Sequence, residues 1–147
     1  MNNNQVISIL KNLIDTCRRG QYAFRNAAES TQNSEVRRLF NIFSQQRAQF
    51  AVELQSELHR LGGAAEDSGE RLSSVRSSTH WSASMPKTVR DEATVIAECQ
   101  CEEETAVNDY QEALKTDLPL DVQYVVKRQY MDIKDAYDRI RILQRAA

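Results

Sequence analysis

Apolar residues recur every three or four positions through four separate stretches of the chain. The first stripe is Val6, Ile7, Leu10, Leu13, Ile14, Cys17, Phe24, Ala27 and Ala28, the spacing of one helix face, and it predicts a helix over 4–30. The second is Val36, Leu39, Phe40, Phe43, Phe50, Leu54, Leu58 and Leu61. It starts behind Ser34, a candidate N-cap, and stops at Gly62-Gly63, predicting a helix over 34–61. The third stripe, Val95, Ile96, Cys99, Ala106, Tyr110, Ala113 and Leu114, predicts 91–115. The fourth, Val122, Val125, Val126, Ile133, Ala136, Tyr137, Ile140 and Leu143, predicts 119–145 with Pro119 in its first turn.

The chain has 147 residues but only four Gly and two Pro, and Gly62, Gly63, Gly69 and Pro86 fall in one region. Sheet turns would need more of both, more evenly spread. An all-α single domain over 1–147 is expected. The first two helices, and the last two, are joined by a few residues, which forces antiparallel hairpins. The 62–90 link is long enough to travel the length of a bundle as a crossover. Its serines and its scattered Leu72, Val75 and Trp81 read as a loosely packed strap. An up-down-up-down bundle with a long loop is the competing topology.

Each stripe skips a beat near its middle. Helical spacing expects an interior residue where the chain has Gly20-Gln21, Gln46-Arg47, Glu102-Glu103 and Gln129-Tyr130. The two hairpins bring 21 near 45 and 103 near 131, so one polar layer of Gln21, Gln46, Arg47, Glu103, Gln129 and Tyr130 is expected across the core. Buried charges need partners, and a glutamate beside Arg47 is the simplest neutralisation. The rival reading is an iron or manganese site on Glu53, Glu98, Glu102 and Glu103. Four-helix carboxylate proteins build such sites with Glu-x-x-His pairs. Here Ser56 precedes His59 by three residues and Ser77 precedes His80, and Arg47 within the layer would repel a cation.

These same residues carry a resemblance. The chain resembles a bacterial ferritin-like family of uncharacterised proteins through Leu13 to Cys17, Gly20 to Arg25, Ala27 to Glu29, Gln46 to Phe50, Glu53 to Gln55 and Leu61 to Gly63, and again through Trp81, Glu98-Cys99, Tyr110 to Leu114 and Tyr137 to Arg141. The resemblance implies a ferritin-like four-helix bundle with the crossover topology, and a stress context. Glu29, Glu53, Glu98 and Glu103 fall at family positions, whereas Gln21 stands where similar sequences often carry Glu, and Tyr137 where they often carry His. A metal held by relatives at those positions would be weakened here.

Charge and cysteines narrow the classes. Nineteen Lys and Arg against 21 Asp and Glu leave a net charge of -2, without the basic footprint of a nucleic-acid binder. No apolar stretch approaches the roughly 20 residues of a membrane span, and the first residues lack the pattern of a secretory leader, so a cytoplasmic protein is expected. Three cysteines do not make a disulfide framework, and Cys17 and Cys99 read as small core residues. Gly62-Gly63 follows a helix and is no phosphate loop. His59 reads as a cap or surface residue, and His80 with Trp81 as an anchor of the strap. No catalytic residue and no cofactor is predicted. The expected function is a structural or interaction protein without a di-metal centre. Its competitors are the iron or manganese protein and a dimeric helix-surface module, the last motivated by Tyr22 and Tyr124 beside the main stripes.

Overall fold

The computed structural model describes residues 2–63 and 91–146. They form α1 (Asn3–Ser30), α2 (Ser34–Arg60), α3 (Glu92–Leu114) and α4 (Leu120–Ala146), with no strand among the described residues. Every boundary lies within one residue of the one the stripes predict, because the punctuation is local. Asn2 and Gln5 form a reciprocal capping box at the start of α1. Gly62, with φ +84, lets its own N–H reach His59 O while that of Gly63 reaches Leu58 O, a paired closure that ends α2.

Two caps differ from expectation. Asn33 rather than Ser34 caps α2, its Oδ1 accepting from the N–H groups of Glu35 and Val36; an Asx side chain one residue earlier reaches both free amides. Pro119 stands just ahead of α4 rather than inside its first turn, where its carbonyl accepts the Gln123 N–H at 2.8 Å.

Helix α1 packs on α2 and α3, and α4 packs on α3 and α2. Contacts between side chains fix the directions. Thr31 meets Glu92 and Thr16 meets Asp109, so α1 and α3 are antiparallel. Arg60 meets Asp121 and Arg128 meets Glu53, so α2 and α4 are antiparallel as well. With α1 and α2 joined as a hairpin, α2 and α3 run the same way on opposite corners of the bundle. The end of α2 and the start of α3 therefore lie at opposite ends. Residues 64–90, which hold most of the expected crossover, Leu72, Val75, His80 and Trp81 among them, lie outside the described residues.

The core comes in two parts. One, nearer the start of α1, contains Leu10, Leu13, Ile14, Phe50, Leu54, Leu58, Tyr110, Val126 and Ile133. The other contains Phe24, Phe40, Phe43, Val95, Ile96, Cys99, Ala136 and Ile140. Phe24 stacks on Phe40 with ring centroids 5.9 Å apart. Between the two parts lies a charged pair.

Candidate functional site: a buried polar network

Arg47 occupies an interior position of the α2 stripe, seven residues after Phe40 and seven before Leu54, and it is fully buried. Its Nη2 donates to Glu103 Oε2 on α3, also buried, across the diagonal of the bundle. Nη1 donates to Gln46 Oε1 at 2.7 Å. The guanidinium lies between the rings of Phe24 and Phe50, 5.6 and 5.7 Å from their centroids, so the negative ring faces supply part of the solvation that water would give. Its buried Nε has no hydrogen-bond partner among the described residues. Burial pulls the Arg47 pKa down, opposed by the nearby Cys17, Tyr110 and Asp132.

Gly20 makes room for this arginine. A Cβ added at Gly20 would stand 3.4 Å from Arg47 Cγ and 3.6 Å from Nε, so α1 passes close to the arginine stem. A breaker inside a helix thus marks the level at which the arginine crosses the core.

A second polar tier lies about two helical turns away. Tyr110 donates its hydroxyl to Gln129 Oε1 at 2.7 Å. That hydrogen is then committed, so in the 3.1 Å contact between the Tyr110 oxygen and Cys17 Sγ the thiol is the donor. Gln129 Nε2 donates to Phe50 O at 3.2 Å and to Glu53 Oε1 at 2.9 Å, and Glu53 also accepts from Arg128 Nη2 at 2.8 Å. A chain of hydrogen bonds therefore runs from α1 through α3 and α4 to α2, and from buried thiol to half-buried ion pair.

Environment sets the ionisation of its members. Burial pushes the Cys17 thiol up to about 11, against the Tyr110 hydrogen bond and the Arg47 charge. Burial likewise raises Tyr110 well above the ordinary phenol value. At Glu53, burial pushes upward, but the hydrogen bonds from Gln129 and Arg128 and the Arg128 charge outweigh it and hold the carboxyl below its usual value. Both core groups stay neutral at physiological pH, and Glu53 stays charged.

The expected layer is thus two tiers. Arg47 and Glu103 meet, with half-buried Gln46 beside them, while buried Gln129 belongs to the other tier. The remaining two stand apart: Gln21 accepts from Arg18 at 3.0 Å and Tyr130 accepts from Gln111 at 2.9 Å, both only half-buried. Glu103 does not come near 131; the α3–α4 hydrogen bonds join 110 to 129 and 111 to 130, so the hairpin is centred near 120, at the start of α4, and Glu103 lies beside residues beyond 131. Cys17, Tyr110, Glu53 and Arg128 were missing from the expected layer. The signal was available: a tyrosine in a core stripe needs a partner for its hydroxyl.

The four carboxylates weighed as metal ligands are held separately. Glu103 is paired to Arg47 and Glu53 to Arg128 and Gln129. Glu102 faces Arg19 at 3.9 Å, its pKa raised by burial and by Asp109 against the pull of Arg19. Glu98 is exposed. Among the described residues no group of three or more His, Cys, Asp or Glu is placed to hold an ion. His59 is exposed near the end of α2, and Cys99 is buried while Cys101 is exposed. No described helix is long and apolar enough to cross a membrane.

A family model described as a domain of unknown function, DUF2383, matches residues 5–116, and the chain belongs to that family. No curated protein matches it.

Proposed function

We propose that this member of DUF2383 is a ferritin-like four-helix bundle in which a buried ion pair takes the place of a di-metal centre. Its role is structural or one of interaction, without catalysis, in the stress context that the resemblance implies. The observation that carries this reading is the Arg47–Glu103 pair between the two diagonal helices at mid-core. A di-metal site needs several carboxylates and imidazoles converging with open lone pairs. Here the buried carboxylate of Glu103 is turned to a guanidinium, and that fixed cation stands at mid-core beside it. The hydrogen-bonded tier below it is likewise closed by Gln129 and Arg128 on Glu53. What such an arrangement supplies is a fixed register of the four helices, because these hydrogen-bonded pairs form only in one alignment.

The competing reading, iron or manganese held by Glu53, Glu98, Glu102 or Glu103, is separated by reconstitution. The full chain is incubated with Fe(II) or Mn(II) without oxygen, desalted and analysed for metal. Traces of ion that a chelator removes are expected. Two tightly held ions per chain would overturn the proposal.

A further inference from the structure

The large apolar side chains exposed among the described residues lie on two helices. Ile42 and Val52 are on α2, and Leu120, Tyr124, Met131 and Ile142 are on α4. Those of α4 are not scattered. At about 100° of rotation per residue, they fall within an arc of roughly 40° on the helix surface, over about 33 Å of its length. This arc faces away from the core face of Val122, Val126, Gln129, Ile133, Ala136 and Ile140. Their exposures, 83% for Leu120, 70% for Tyr124, 66% for Met131 and 63% for Ile142, leave most of each side chain uncovered by the described residues. An aligned apolar row of this length on a polar surface is the mark of a contact.

Between the apolar positions the same stripe carries exposed Lys127, Asp135 and Asp138. The order of the whole row, 120, 124, 127, 131, 135, 138 and 142, is symmetric about 131. A second α4 laid antiparallel across the first, on a two-fold axis through Met131, therefore sets Leu120 against Ile142 and Met131 against itself. It also sets Lys127 against Asp135 and the Tyr124 hydroxyl against the Asp138 carboxylate. Apolar faces apolar and each charge faces its opposite or a hydrogen-bond donor, the self-complementarity that a two-fold contact demands. A parallel pairing would instead set Lys127 on Lys127 and Asp135 on Asp135.

We infer that the outer face of α4 is a homodimer interface, its occupant the α4 of a second copy of this chain running antiparallel about Met131. The inference gives the proposed interaction role a partner, and it rests on that reading only for the choice of interaction over catalysis. In forming the dimer, the local pairs Lys134–Asp138 and Asp135–Arg139, both half-exposed, share their carboxylates with the partner.

The test is sedimentation equilibrium of the full chain, with metal content measured on the same samples so that the two readings fail separately. The wild type is expected to dimerise. Met131→Glu, which sets two carboxylates face to face at the axis, is expected to be monomeric with unchanged helicity. Lys127→Glu is expected to weaken the dimer roughly tenfold, and Lys127→Glu combined with Asp135→Lys to restore it, since the swap recreates the pair in both halves. In a Cys101→Ser background, oxidation should link Leu120→Cys with Ile142→Cys between chains, while Leu120→Cys alone stays unlinked. A wild type that stays monomeric at high concentration overturns the inference. So does a dimer indifferent to Met131→Glu, or one that Leu120→Cys alone links.

Discussion

Helix α2 carries two arginines that make ion pairs to other helices, and the pairs live in opposite worlds. Arg47 and Glu103 are 0% and 1% exposed, whereas Arg60, thirteen residues further along the same helix, and its partner Asp121 on α4 are 55% and 62% exposed. On the surface, two flexible side chains gain little from each other, because water solvates both and salt screens what remains. In the core both charges have left water, and each is tolerable only because the other is present, with Gln46 and two phenyl rings completing the shell. The comparison teaches that the surface pair decorates the bundle, whereas the interior one constrains it: helices α2 and α3, diagonal to each other with their backbones apart, are tied through it. Glu53–Arg128, 26% and 41% exposed, is the intermediate case.

Breaking the interior pair has the largest expected effect. Arg47→Met strands a buried carboxylate and is expected to cost about 3–5 kcal/mol in denaturant-induced unfolding. Replacing both partners, Arg47→Met with Glu103→Leu, should recover most of that loss, since no charge is then left buried. An Arg47→Met protein as stable as the wild type would mean that the pair is no more than the surface one. Next comes the neutral tier: Tyr110→Phe removes the acceptor of the Cys17 thiol and the donor to Gln129 with little change of volume, and should cost about 1–2 kcal/mol.

Acid titration sharpens the intermediate case. Glu53 has its folded carboxyl held below the ordinary value, so its stabilisation is complete above the unfolded pKa of about 4.3 and is lost as pH falls through the folded value. Glu53→Gln should therefore flatten the acid limb of the stability curve. Glu102 has the opposite sign: its folded pKa is raised, so its contribution is present at low pH and is lost as pH rises through the folded value, and Glu102→Gln should steepen the limb. The smallest effect belongs to the surface: Arg60→Ala should change stability by less than about 1 kcal/mol, and the change should shrink further with added salt.

The sequence already held the scaffold and part of the interior. Gly62-Gly63, the six-breaker count and the four stripes mark the helices because capping and amphipathicity are written within a few residues of where they act. The gap in each stripe marks Arg47, Glu103 and Gln129 as interior positions by the same periodicity, and Gly20 as the place where another helix's side chain comes close. Gln21 and Tyr130 sit beside those positions and read equally well as interior. Yet the helix turns them toward its flanks, where Arg18 and Gln111 meet them, a rotation of one residue that spacing alone does not resolve.

Tertiary structure alone decided the partners. Glu102 and Glu103 are adjacent in sequence and equal in chemistry, but the roll of α3 sends one to Arg19 at the edge and the other to Arg47 in the core. The same roll carries Tyr110 to Cys17, and the hydrogen-bond chain onward to Glu53 depends on the relative heights of helices far apart in sequence. Periodicity is a property of one helix and can be read along the chain. Pairing depends on the rotation and height of two helices at once, and those are set only when all four pack together.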